Sequence, residues 1–235
     1  MAATDSRAGR VLVVKCGTTT PALVETHGDY ERWFLDAIDE VTEGGRERCD
    51  VIDAYLGAEL PDPKGWSGVI LSGSVLSVTD REPWMAPLGE WALEAARGGT
   101  PVLAICFGHQ LVGEALGGRV VLNEEGLEVG TVGVEIAEEA RGEALFAGLP
   151  ATIAVQASHS WIVEELPPGT TLLCGNVNTA IQGFSWGENL RALQFHPELT
   201  SSAARRLIEV RGYDATASES DHGRTILGNW MRGLK

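Results

Sequence analysis

The chain has 235 residues, a length that suits one α/β domain or two small ones and allows a full hydrophobic core. Its 18 lysine and arginine residues stand against 33 aspartate and glutamate residues, which gives a formal net charge of −15. A field of this sign repels polyanions, so we expect neither nucleic acid nor an anionic membrane surface as a partner.

The four cysteines lie far apart in the sequence, and none belongs to a CxxC pair. This spacing argues against a zinc site and against a disulfide scaffold. We therefore expect no metal, no cofactor and a reducing, cytoplasmic compartment. Residues 1–10 are small, polar and charged rather than apolar, so no signal peptide is expected, and no apolar run is long enough for a membrane span.

Apolar strand-like runs alternate with helical segments through the first half of the chain. A first strand is predicted at residues 11–14. Residues 30–41 then carry apolar side chains at i, i+3, i+4, i+7, i+8 and i+11, which indicates an amphipathic helix. Two more strands are predicted at residues 50–55 and 68–72, followed by a helix at residues 88–96. Such alternation is typical of a parallel sheet with helices on both faces.

Beyond residue 118 the pattern changes to short β-like segments separated by turns. Six are predicted, at residues 119–122, 130–136, 153–156, 171–174, 180–186 and 191–195. Helices are predicted at residues 201–210 and around residues 226–231. We expect residues 1–235 to form one α/β domain, a mostly parallel open sheet with helices on both faces and extra short β-strands in the second half.

Cys106 lies at an abrupt junction between a strand and a helix. The apolar run at residues 102–105 predicts a buried strand, and apolar residues return at helical spacing from Leu111 onward, while Gly108 permits a tight turn. A thiol at a helix N-terminus is favoured as thiolate by the unpaired N–H groups and the helix dipole. The pattern predicts a nucleophile, although a cysteine that ends a core strand can also serve packing alone.

A second candidate segment reads Gln-Phe-His-Pro-Glu, at residues 194–198, where a predicted strand ends. His196 and Glu198 are two residues apart with a proline between them, so one loop can hold the imidazole against the carboxylate. Such a pair can take a proton from a thiol and later deliver it to a leaving amine. Because 90 residues separate His196 from Cys106, only the fold can bring them together.

These segments resemble the class I glutamine amidotransferases, specifically the glutaminase domain of GMP synthase and its stand-alone relatives. Residues 102–110, Val-Leu-Ala-Ile-Cys-Phe-Gly-His-Gln, are similar to the family's nucleophile elbow, and residues 194–198 to its histidine and glutamate signature. Residues 70–74 fall where the family has its oxyanion loop, and residues 158–161 where it holds the substrate glutamine. The resemblance covers nearly the whole chain and implies a flavodoxin-like fold.

The resemblance implies a Cys-His-Glu triad formed by Cys106, His196 and Glu198. In that reading Cys106 attacks the side-chain amide carbon of glutamine, and His196 protonates the departing ammonia. Glu198 orients His196. Water then releases glutamate from a γ-glutamyl thioester.

The resemblance also implies roles for the residues around the triad. The oxyanion would be held by the backbone N–H of Phe107 and by that of Gly73 or Ser74. The usual Gly-Gly-Pro of this loop reads Gly-Ser-Val at residues 73–75, which adds a side chain and loses a rigid residue. The residues that would bind the amino-acid end of the substrate are Gln110, Ser158, Ser160 and Trp161.

The sequence leaves three functions open. It contains neither a P-loop nor a Ser-Gly-Gly-x-Asp-Ser loop for ATP chemistry. We therefore expect a glutaminase-type hydrolase of a γ-glutamyl amide, acting on glutamine or another γ-glutamyl small molecule, with ammonia passing to a separate synthetase subunit where one exists. The first alternative is a γ-glutamyl peptidase that acts on glutathione-like conjugates. The second is a non-enzymatic regulatory binding protein.

Overall fold

The computed structural model describes residues 7–234. Residues 1–6 and residue 235 lie outside the described residues. Residues 1–6 are part of the segment in which no signal peptide is expected. Between residues 7 and 234, no helix combines the length and the apolar character needed to cross a bilayer.

Strands and helices alternate along the first half of the chain, and strands dominate the second. The strands are β1 Val11–Lys15, β2 Cys49–Asp53, β3 Gly68–Leu71, β4 Val102–Ile105, β5 Val120–Leu122, β6 Glu128–Ile136, β7 Thr152–His159, β8 Trp161–Val163, β9 Thr170–Gly175, β10 Gly183–Trp186 and β11 Leu190–Leu193. The helices are α1 Pro21–His27, α2 Tyr30–Val41, α3 Met85–Arg97, α4 Phe107–Ala115, α5 Ser201–Arg211 and α6 His222–Gly233.

Nine of these strands form one sheet in the order β2-β1-β3-β4-β11-β10-β9-β6-β7. The half from β2 to β11 is parallel, and the half from β11 to β7 is antiparallel. Strand β4 lies inside the parallel half, and all four of its residues are fully buried, as expected for a strand covered on both faces. The neighbouring strands β5 and β8 pair separately with each other.

Helices cover both faces of the parallel half. One apolar cluster joins α3 and α4 to the sheet, and a second joins α2 and α6 to its opposite face. A third cluster, which contains residues of α1, α2 and α5, packs beside the carboxyl ends of the strands. The predicted α/β fold with helices on both faces is confirmed.

Two elements were not predicted from the sequence, and several predicted strands are shorter than expected, among them those predicted at residues 50–55, 180–186 and 191–195. Helix α1 carries Pro21 at its first position, where the missing N–H costs nothing, but it spans only two turns. Strand β8 has three residues and is defined by its pairing with β5. The strand predicted to reach residue 55 ends at Asp53, because the chain turns there into a single 3₁₀ turn over residues 54–56.

Gly108 lets α4 pack directly against β3. A Cβ atom at this position would lie 2.8 Å from Leu71 Cβ and 3.0 Å from Leu71 O. We therefore predict that Gly108→Ala destabilises the fold by about 1–3 kcal/mol, the usual cost of overpacking. Urea denaturation measures this change. Gly142→Ala is the matched control, since a Cβ atom there meets nothing within 4 Å; equal effects of the two substitutions would contradict the prediction.

Candidate active site

The backbone at Cys106 adopts a conformation that is rare for a residue with a side chain. Cys106 precedes the first turn of α4 with φ 51° and ψ −100°. Its N–H donates to Leu193 O at 2.8 Å, and its carbonyl accepts from the Gln110 N–H at 3.1 Å. Neighbouring elements thus hold a strained turn, which places the thiol at the N-terminus of α4 and at the carboxyl end of β4.

His196 reaches the same edge of the sheet from β11, the neighbour of β4. Its backbone N–H donates to Gln156 O at 2.8 Å. Its ring atom Nδ1 lies 2.7 Å from Glu198 Oε1, and the two side chains are only 3% and 0% exposed. The structure therefore brings Cys106, His196 and Glu198 to one place, although 90 residues separate the first two.

The surroundings of His196 favour its charged form. Burial lowers the pKa of the imidazole, but the Glu198 carboxylate and the side chain of Cys106 raise it by more, so the pKa lies well above its ordinary value. Since Nδ1 is bound to Glu198, the ring nitrogen left for Cys106 is Nε2. The arrangement suits a charged imidazolium beside the Cys106 sulfur.

Ser72 fixes the loop opposite Cys106. The Ser72 hydroxyl accepts from the Cys16 N–H and donates to Gly73 O, both at 2.9 Å. In a trans peptide the N–H of the next residue points away from that carbonyl, so the Ser74 N–H is directed to the other side. A Cβ atom on Gly73 would lie 2.8 Å from His196 Cε1, which explains the glycine.

The serine in place of the second loop glycine is accommodated by a glycine elsewhere. Gly17 follows β1, and any Cβ atom on it would overlap Ser74 Oγ. The Ser74 hydroxyl in turn accepts from the Leu76 N–H at 3.1 Å. The departure from the Gly-Gly-Pro pattern therefore fits this chain's own packing.

A cavity of about 180 Å³ opens above Cys106. Of the residues predicted for the site, it is lined by Ser74, Cys106, Phe107, Gln110, Ser158, Ser160, Trp161 and His196. Gly73 and Glu198 lie behind the lining, against the imidazole. Gln110 Nε2 donates to Trp161 O at 2.7 Å and to Gln194 Oε1 at 3.1 Å, so it ties α4 to the edge of β8.

Among the residues at or behind the cavity lining that were not predicted as site residues are Tyr30, Arg211 and Glu128. The ring of Tyr30 stacks on His196 with 6.2 Å between ring centroids, and Arg211 lines the cavity from the end of α5. Glu128 lies behind the lining residue His159. The helical pattern indicated only an apolar face at Tyr30, and no local signal marks Arg211 or Glu128, because their places depend on distant segments.

Glu128 is the centre of a buried polar cluster beneath the cavity. Its carboxylate lies 3.1 Å from His159 Nε2 and accepts from Asn176 Nδ2 at 2.6 Å, from Thr179 Oγ1 at 3.0 Å and from Gln182 Nε2 at 2.6 Å. Burial raises the pKa of this carboxyl, but the nearby His159 ring and the hydrogen bonds from Asn176 and Thr179 lower it by more, so the pKa is below its ordinary value. The cluster supports the segment from Ser158 to Trp161.

A protein-family model matches most of this chain. The model described as "Glutamine amidotransferase class-I" matches residues 47–213. The chain belongs to the class I glutamine amidotransferase family. The matched range contains Cys106, His196 and Glu198, as well as Arg211.

Two curated relatives and one solved structure illustrate the range of this family. A GMP synthase [glutamine-hydrolyzing] of Thermomicrobium roseum is 37% identical over 158 residues, which are 63% of this chain but only 28% of that protein. Gamma-glutamyl peptidase 3 of Arabidopsis thaliana is 28% identical over 191 residues, covering 79% of this chain and 75% of the relative. A glutamine amido transferase from Methylobacillus flagellatus has the same fold, with a TM-score of 0.73 at 18% identity over 97% of this chain and 96% of that one.

The cluster around Glu128 generates a stability prediction. A carboxyl whose pKa is lowered on folding stabilises the protein above its unfolded pKa, about 4.3 for glutamate, and loses that contribution as pH falls through the folded value. We predict that Glu128→Gln lowers the free energy of unfolding by about 1–3 kcal/mol at pH 7. The difference from the wild type should shrink below pH 4.

Urea denaturation at several pH values measures this difference. Glu125→Gln is the control, because the Glu125 side chain is exposed in the same segment. A Glu128→Gln variant as stable as the wild type at pH 7, or a difference that grows in acid, would contradict the role of the cluster.

Proposed function

We propose that this protein hydrolyses a γ-glutamyl amide through Cys106, His196 and Glu198, and that residues 7–234 act as one catalytic domain. The observation that carries the proposal is the buried 2.7 Å contact between His196 Nδ1 and Glu198 Oε1 beside a thiol on a strained turn. Relatives are named glutamine-hydrolysing GMP synthase and γ-glutamyl peptidase, which supports enzymatic activity of this kind.

The reaction would proceed through a thioester. The Cys106 thiolate attacks the amide carbon, whose C=O electron pair moves onto oxygen. When this intermediate collapses, the C–N bond breaks and His196 gives its Nε2 proton to the leaving nitrogen. The neutral imidazole then takes a proton from water, whose oxygen attacks the thioester, and glutamate and the Cys106 thiolate are released with His196 protonated again.

Two backbone donors are placed to stabilise the oxyanion. The Phe107 N–H belongs to the free first turn of α4, and the Ser74 N–H is oriented by the Ser72–Gly73 hydrogen bond. A donor of this kind contributes about 3 kcal/mol to transition-state stabilisation. Four further residues of the cavity lining would hold the amino-acid end of the substrate: Gln110, Ser158, Ser160 and Trp161.

The leaving group distinguishes two versions of this function. With glutamine it is ammonia, which a separate synthetase subunit could use; the GMP synthase relative is much longer than this chain. With a γ-glutamyl peptide it is an amino acid or peptide. The second version has its own support, because the γ-glutamyl peptidase relative matches over most of both chains.

We predict that Cys106→Ala abolishes hydrolysis, lowering kcat by at least about 1,000-fold. The assay compares ammonia release from glutamine with amine release from γ-glutamyl peptides, with and without cell extract that could supply a partner. Cys49→Ser is the matched control, because Cys49 is a half-buried thiol at the start of β2, outside the cavity lining. Full activity of Cys106→Ala would exclude this nucleophile, and no turnover of either substrate by the wild type would overturn the proposed function.

The elevated pKa of His196 gives a second prediction. The Glu198 carboxylate raises this pKa, so Glu198→Gln should lower it and reduce kcat/KM by about 100-fold or more. Activity requires the imidazolium as proton donor, so the alkaline limb of the pH–rate profile should move to lower pH in the variant. A limb that stays in place or moves to higher pH would show that Glu198 does not stabilise the charged imidazole.

A further inference from the structure

The cavity above Cys106 differs in charge from the rest of the molecule. The chain carries 33 aspartate and glutamate residues and a net charge of −15. Within residues 7–234, however, no aspartate or glutamate lines this cavity, and Arg211 is the one lysine or arginine that does. Such a lining suits a substrate that brings negative charge.

Arg211 has no counter-ion of its own. No carboxylate in the described part of the chain lies within salt-bridge distance of its guanidinium, and its hydrogen bond to Tyr213 Oη is long, at 3.5 Å. By contrast, Arg205 and Arg206 on the same helix bind Glu219 and Glu209 at 2.9 and 2.7 Å. A half-buried guanidinium that lines a cavity and has no acidic partner among the described residues is suited to bind a carboxylate.

Arg211 lies near Tyr30, the residue that stacks on the proton donor of the proposed reaction. Its charge acts on the buried Tyr30 hydroxyl, whose pKa is raised by burial and by Cys106 and Glu198 and lowered by Arg211. The Tyr30 ring stacks on His196, the group that would protonate the leaving nitrogen. Tyr30 therefore links the guanidinium of Arg211 to the imidazole of His196, and all three residues line the same cavity.

We infer that Arg211 binds a carboxylate on the leaving-group side, and that the preferred substrates are γ-glutamyl amino acids or peptides whose released amine carries that carboxylate. This inference rests on the proposed hydrolysis of a γ-glutamyl amide. Glutamine releases ammonia, which has no carboxylate, so Arg211 would contribute nothing to its leaving group.

The test compares γ-glutamylglycine with γ-glutamylglycinamide, which differ only in the charge at the far end of the leaving group. For the wild type we expect a kcat/KM about tenfold higher for γ-glutamylglycine, expressed mainly in KM. Arg211→Gln should remove this preference while changing glutamine turnover by less than about twofold. Arg211→Lys should restore part of it, because the positive charge is retained.

Arg206→Gln is the matched control, since it removes one positive charge from the same helix outside the cavity. It should keep the wild-type preference. An equal loss for all three substrates in Arg211→Gln would place Arg211 at the α-carboxylate or in folding, and would overturn the inference. A wild type that does not discriminate between the two peptides would overturn it as well.

A binding measurement distinguishes failure of this inference from failure of the proposed function. Titration calorimetry on Cys106→Ala, with and without Arg211→Gln, measures affinity for the same two compounds without any turnover. Tighter binding of γ-glutamylglycine that depends on Arg211 would support the inference even if the wild type hydrolysed nothing. Equal binding of both compounds, or binding of neither, would overturn it even if glutamine were hydrolysed.

Discussion

The active-site geometry depends on the backbone turn at Cys106. A residue with a side chain at φ 51° costs roughly 1–3 kcal/mol, so the surrounding structure must hold it there. The fully buried strand β4, the hydrogen bond to Leu193 O and the close approach of α4 to β3 at Gly108 provide that support. The turn places the Cys106 thiol at the carboxyl end of β4, next to the free N–H groups of the first turn of α4.

Strands β4 and β11 are neighbours in the sheet, and this adjacency brings the histidine and the glutamate to Cys106. Leu193 pairs with Ile105, so the chain that leaves β11 emerges beside the thiol and can deliver His196 and Glu198. The antiparallel half of the sheet then returns over the site, where Gln156 accepts the backbone hydrogen bond of His196. The buried cluster around Glu128 anchors that same hairpin from below.

The fold could be predicted from local sequence, and so could the presence of Cys106 and His196 at one cavity. Hydrophobic periodicity reveals the apolar run before Cys106 and the helical spacing after it, while His-Pro-Glu is a short motif within one loop. Tyr30, Glu128 and Arg211 could not be predicted as site residues, because Tyr30 and Arg211 reach the cavity, and Glu128 reaches the lining residue His159, from elements distant in sequence. Helix α1 and strand β8 were missed because they are too short for periodicity to show.

The loop opposite Cys106 illustrates the same limit. The sequence shows that Gly-Ser-Val stands at residues 73–75, but not what the serine meets. In the structure Gly17 makes room for the Ser74 side chain, and Ser72 orients the intervening peptide. A change that looks disruptive in the motif is therefore balanced by a glycine more than fifty residues earlier.

Covalent trapping shows whether Cys106 is the nucleophile of a γ-glutamyl hydrolase. The reagent is a glutamine analogue with a diazoketone in place of the side-chain amide, and peptide mass spectrometry locates the label. We expect one adduct per chain on Cys106, prevented by excess glutamine or γ-glutamylglycine and accompanied by loss of activity. Labelling of Cys16, Cys49 or Cys174 instead, or loss of activity with Cys106 unmodified, would contradict it.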